Sequence, residues 1–286
     1  MKEFSVVILN AVVNTLLAFA KVVIGTLFLS PVLVADGVHS FSDLVTDIFA
    51  AIGLKVSNRA PDDDHPFGHG GAEYIFNATV AMIIFIFTGL IIIEFIQELT
   101  IPSESVSSLV VATAIITFAV KLIVSQFTLK KGEELSSETL RNSGMEGRGD
   151  AITSLVMVVG ILITSLGIEH NIPALQYADK VATVYIIYIL LGVSFEIYRN
   201  ALINAANTHA SDNVTHRYRE TITSYDINVP LDDLLVFKNG TQNKLIIYID
   251  SHDFSNIQEL LSYTKQLRNH LQTIHSDIAY IAIEYK

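Results

Sequence analysis

The chain has 286 residues, of which 51% are hydrophobic and only 16% charged, and its mean hydropathy is +0.47. Soluble domains carry about a quarter charged residues, so much of this surface faces something other than water. Its 29 acids against 18 bases give a net charge of −11, which argues against a nucleic-acid partner, and the lack of cysteine excludes disulfides and thiolate metal sites.

About 20 mostly apolar residues form a helix that crosses a ~30 Å hydrocarbon core, and helices satisfy their own backbone there. Six such spans are predicted, over roughly 5–29, 31–56, 73–97, 104–129, 143–167 and 174–200. The first is interrupted only by Lys21. It is too long for a signal-peptide core and lacks a small-residue cleavage site. Lys2, Lys55, Arg59, Lys130, Lys131, Arg141 and Arg199 flank one side, whereas the loops near 30, 98–103 and 168–173 hold no Lys or Arg. Both termini are therefore predicted to be cytoplasmic. Lys130 to Leu140 reads as a short charged connection between spans four and five.

The sequence changes character after about residue 208. Residues 1–208 are assigned to a six-helix transmembrane domain and 209–286 to a small C-terminal α+β domain. In that tail, Asp212 to Ser224 predicts a helix. Asp233 to Phe237 and Leu245 to Ile249 predict strands joined through Lys238-Asn239-Gly240, a hairpin signal. Ser255 to Leu271 predicts a helix with Ser255 as N-cap, and Ile278 to Tyr285 a final strand. The order is αββαβ. Most of the acidity lies outside this tail.

Charges within a span cost roughly 2.5–3.5 kcal/mol each and usually mark function. Asp36, His39, Asp43 and Asp47 share one face of span two, and Glu146 and Asp150 are four apart on span five. His39, Asp43, Glu146 and Asp150 could close a cage of one nitrogen and three carboxylates, suited to zinc, manganese or iron(II), with Asp36 and Asp47 as accessories. Spacing alone leaves other readings open. His39 could be an interhelical hydrogen-bonder, Asp36 or Asp47 could pair with Lys21 or bind water, and Glu146 and Asp150 could pair with Arg141 or Arg148 at the membrane edge.

The loop between spans two and three reads Asp62-Asp63-Asp64-His65-Pro66-Phe67-Gly68-His69-Gly70-Gly71-Ala72-Glu73. With Ala35-Asp36-Gly37-Val38-His39-Ser40 and Asp43 in span two, Asp150-Ala151 in span five, Tyr177-Ala178-Asp179 and the αββαβ tail, the chain resembles the cation diffusion facilitator family of proton-coupled divalent metal exporters. The resemblance runs over nearly the whole chain and implies a ferredoxin-like, metallochaperone-like cytosolic tail.

It further implies that His39, Asp43 and Asp150 match the family's transport ligands, while Glu146 stands where many zinc-handling members have His. Asp62 and His69, with His65 and Glu73 in the same motif, match a loop-borne metal site. Asp232, Tyr248 and Glu284 occupy the positions of a tail site that other members build largely from His, and His252, His270 and His275 are further local candidates. The implied protein is a homodimeric metal/proton antiporter in the cell membrane, plasma or inner, not an enzyme. It has no catalytic residues and no prosthetic group, its partners are divalent cations, protons and the lipid bilayer, and its proton carrier is His39, since imidazole titrates near neutral pH. The alternative is a membrane-anchored metal sensor or scaffold that does not transport. Ligand-type residues inside two spans argue against that, because an anchor needs none. An intramembrane hydrolase would need a nucleophile motif that the sequence lacks.

Overall fold

The computed structural model describes residues 3–100, 106–135, 137–206, 208–225, 231–250, 252 and 254–285. Lys2 lies outside them. Six long helices come first: α1 (Glu3–Leu27), α2 (Pro31–Ser57), α3 (Gly71–Glu98), α4 (Ser108–Glu134), α5 (Glu138–Glu169) and α6 (Ala178–Ala205), the last entered through a 3-10 turn, Pro173–Tyr177. The tail follows as α7 (Asp212–Tyr225), β1 (Leu231–Asn239), β2 (Gln242–Ile249), α8 (Ile257–Ile274) and β3 (Ile278–Tyr285). The molecule is therefore an α-helical membrane protein with a small αββαβ tail. Among the described residues, five of the six helical stretches are long and apolar enough to cross a membrane. The other, α2, is as long at 27 residues but carries Asp36, Asp43, Asp47 and Lys55.

The chain packs as two compact units, one of Met1–Ile48 with Val80–Glu196 and one of Phe49–Thr79 with Ile197–Lys286. In the first, polarity is inverted relative to a soluble protein. Lys21, Asp36, Thr88, Thr117, Lys121, Thr164 and Ser194 are buried, while Leu16, Phe19, Met82, Ile86, Val181 and Tyr188 are exposed. An apolar solvent around the helices accounts for both halves of this pattern.

The connection between α4 and α5 is shorter than the expected loop over 130–140. Lys130, Lys131, Glu133 and Glu134 continue α4, since Lys and Glu are good helix formers. Ser137 then caps α5 by accepting from Leu140 N at 3.2 Å. Only three residues intervene, so α4 and α5 form a tight antiparallel pair. A Cβ on Gly144 would lie 2.7 Å from Leu129 N, which shows how closely the backbones approach.

In the second unit the sheet has the order β1-β2-β3, with β1 and β2 antiparallel and β2 and β3 parallel. The hairpin turns at Gly240-Thr241, and Gly240 takes the positive φ of +63° that glycine adopts without strain. Alternate residues of β2 (Leu245, Ile247, Ile249) face Tyr218 and Ile222 of α7 and Leu260, Leu267 and Leu271 of α8 in one core. The cap of α8 is Asn256 rather than Ser255. Asn256 Oδ1 accepts from Gln258 N and Glu259 N, and Ser255 N–H donates to Glu259 Oε2 at 3.0 Å.

Candidate metal centre

His39 and Asp43 lie one turn apart on α2, and Asp150 on α5 faces them. One ligand atom from each lies within 4.8 Å of the others. His39 is buried, Asp43 and Asp150 half-buried. Asp43 Oδ2 is buried without a hydrogen-bond partner, an arrangement that costs free energy unless something cationic arrives. Glu146 and Asp47 are exposed and fall outside this tight group, though close enough to add their charge to that of Asp150.

Two buried lysines complete the electrostatics. Lys21 Nζ on α1 lies 2.6 Å from Asp36 Oδ2 and donates to Ser40 and Ser154. Ser154 Oγ in turn donates to both Asp36 oxygens at 3.0 Å. Asp36 is thus held in the ion pair with Lys21 that the sequence left open. Lys121 on α4 lies 2.9 Å from Asp150 Oδ2 and donates to Asn14 Oδ1 at 3.2 Å. The base paired with Asp150 is Lys121, not Arg141 or Arg148. Sequence reasoning passed over Lys121, although its being the only charged residue between Glu104 and Lys130 was the available signal.

In the second unit the loop ligands also converge. Asp62 Oδ1 accepts from His65 N at 2.7 Å and lies 3.1 Å from His65 Nδ1, while Asp62 Oδ2 lies 3.3 Å from His69 Nε2. Desolvation pushes the Asp62 carboxyl up. The His65 N–H, the His65 side chain and the His69 charge outweigh it and hold the group below its ordinary value. His69 Nδ1 is buried and unpartnered.

The same loop is fastened to the tail hairpin. Asn239 Nδ2 donates to Phe67 O at 3.1 Å, Gly240 N–H to the Tyr74 hydroxyl at 2.7 Å and Thr241 Oγ1 to Asn58 Oδ1 at 2.6 Å. The Phe67 ring packs edge-on against Tyr280 at 4.8 Å. A Cβ on Gly70 would lie only 2.1 Å from Asn239 O. Glu73 Oε2 is buried here without a partner.

The tail positions behave differently. Tyr248 and Glu284 are neighbours across β2 and β3, and Asp232 sits at the irregularity in β1 opposite the end of β2. His252 is bonded to Asp250 at 2.8 Å, the His270 ring lies tilted against that of Tyr225, and His275 is buried against Tyr218. Among the described residues the tail brings no three ligating groups together.

Residues 7–203 match the family model of the cation efflux transmembrane domain. The chain belongs to the cation efflux, or cation diffusion facilitator, family. Its relatives include the manganese efflux system protein MneP of Bacillus subtilis, 27% identical over 97% of this chain and 94% of that protein. An uncharacterized transporter of Methanocaldococcus jannaschii is 34% identical over 66% of this chain and 65% of that protein. The magnetosome protein MamB of Magnetospira is 25% identical over 68% and 64% respectively. The family moves divalent metal ions across membranes, and membership makes this chain a transporter rather than a catalytic enzyme.

Proposed function

We propose that the protein exports a divalent metal cation, with manganese(II) the first substrate to test, by metal–proton antiport through alternating access. The observation that carries this is the His39–Asp43–Asp150 group with its unpartnered Asp43 oxygen, lying among apolar helices. A dehydrated divalent ion supplies the charge that the oxygen lacks. Ligands must be deprotonated to hold metal, so protons arriving on His39 and the carboxylates compete with it and favour release. Glu146 adds a hard oxygen donor at the edge of the cage, which suits manganese or iron(II) better than zinc. The relatives named as manganese efflux proteins, MneP and MneS, point the same way. Zinc remains a competing substrate because His39 is a good zinc ligand.

In this reading residues 1–208 transport and 209–286 form a cytosolic tail, with both termini cytoplasmic and the tails facing each other in a homodimer. Asp62, His65 and His69 take a second ion at the loop, and Asp232 and Glu284 play no part as ligands. Flux in proteoliposomes tests it. Asp43→Ala or Asp150→Ala should abolish proton-linked manganese(II) transport while the protein remains monodisperse. Wild-type flux in either variant would overturn the site assignment.

A further inference from the structure

Of the buried lysines of the helical unit, the two paired with acids on α2 and α5 are not equivalent. Lys21 is closed off: its ammonium has three oxygen acceptors, and both oxygens of its Asp36 partner also accept from Ser154. Lys121 is open. It has two acceptors, Asp150 Oδ2 at 2.9 Å and Asn14 Oδ1 at 3.2 Å, and the Asp150 side chain keeps 18% of its surface exposed. The carboxylate it holds also belongs to the close group of His39, Asp43 and Asp150, in which Asp43 Oδ2 is buried without a hydrogen-bond partner. A metal bound through either oxygen of Asp150 would face the ammonium across a single carboxylate, and two cations so placed repel each other strongly.

We propose that Lys121 is a tethered counter-cation that occupies the empty transport site, is displaced from Asp150 by the incoming divalent ion, and retreats onto Asn14. This rests on His39, Asp43 and Asp150 being the transport site. A lysine suits the role, as a compact charge on a flexible stem of four carbons with donors that can be re-aimed. The displaced charge is +1, so a monovalent ion gains little by replacing it, whereas a divalent ion brings a net surplus. Lys121 therefore selects for valence and weakens metal binding enough for release. It also leaves the cage neutralised in part once the cargo has gone.

Calorimetry of manganese(II) binding to the full-length protein in nanodiscs tests this, with transport turnover measured in parallel. Lys121→Gln should bind manganese(II) about tenfold more tightly, as expected when a competing charge is removed, and should turn over more slowly because release is slower. Lys121→Arg, which keeps the charge, should bind no more tightly than wild type. Asn14→Leu removes the retreat and should bind more weakly, which gives an independent reading if Lys121→Gln does not fold. Unchanged or weaker binding in Lys121→Gln, or tighter binding in Asn14→Leu, would overturn the proposal if Asp43→Ala still destroys binding. If Asp43→Ala binds like wild type, the site assignment falls, and this inference with it.

Discussion

Lys21 Nζ and Asp36 Oδ2 stand 2.6 Å apart with both side chains almost fully buried, and the pair ties α1 to α2 one turn before His39. Breaking a buried pair from one side leaves an uncompensated charge and costs about 3–5 kcal/mol, whereas replacing both partners by apolar groups is often near neutral. Lys21→Met and Asp36→Leu should each lower the thermal stability of the solubilised protein sharply. The double variant should recover most of the loss. Additive losses in the double variant would show that the residues act separately.

Glu146 tests how the cage reads its metal. Glu146→His should shift the ratio of zinc to manganese(II) flux severalfold toward zinc, because an imidazole replaces a hard oxygen donor. An unchanged ratio would place selectivity elsewhere, with Asp47 the next position to vary.

The loop–hairpin contact makes a matched pair of glycine variants informative. A Cβ on Gly70 would meet the backbone oxygen of Asn239 at 2.1 Å, whereas one on Gly71 meets nothing within 4 Å. Gly70→Ala should cost about 1–3 kcal/mol, the usual penalty of overpacking, and should raise hydrogen exchange around Phe67 and Gly240. Gly71→Ala should be neutral, or stabilise α3 by up to about 1 kcal/mol. Equal exchange in the two variants would mean that the hairpin does not hold the loop.

The tail should weaken in mild acid. Burial pushes the His275 imidazole below its ordinary value of 6.5, helped by the Arg217 charge and the nearby His270, with Asp277 opposing. The unfolded chain then takes up a proton that the folded one resists, so stability is held above pH 6.5 and falls as pH drops below it. Asp277 adds a second, more acidic window. Desolvation raises its carboxyl, but Tyr218 and Arg217 outweigh this and hold it below 3.8, so its contribution is lost only at lower pH. Hydrogen exchange across α7 and β3 of the full-length protein, taken relative to the intrinsic amide rate at each pH, should therefore rise as pH falls from 7.5 to 5.5, a window chosen to bracket the ordinary imidazole pKa of about 6.5. His275→Gln should flatten that rise. The same slope in both proteins would refute it.

Much of this was legible in the sequence because the signals were local. Charge-free runs marked the helices, and β3 falls over Ile278–Tyr285 as the apolar run indicated. His39 and Asp43 do share a face of α2, since residues four apart on a helix lie one above the other, whereas Glu146, four before Asp150, is exposed and outside the close group. What escaped needed registration between elements. Lys121 sits just past the charge-free run that ends at Val120, and only the packing of α4 on α5 turns it from the edge of a run into the partner of Asp150. Asp36 had two open readings until α1 placed Lys21 beside it. The α8 cap was a narrower miss: Asn256 and Glu259 have the spacing of a capping box, and Ser255 was one position early.

The close approach of α4 and α5 has a kinetic consequence. With Leu129 packed onto Gly144 and Ser125 onto Gly147, neither helix can slide far against the other, so the distance from Lys121 to Asp150 changes chiefly by rotation of the lysine stem. Lys121 is buried, so it turns more slowly than an exposed side chain, but its rotation needs none of the collective helix motion that takes microseconds to milliseconds. Under the proposed displacement, the parting of Lys121 from Asp150 therefore need not wait for the helices to rearrange.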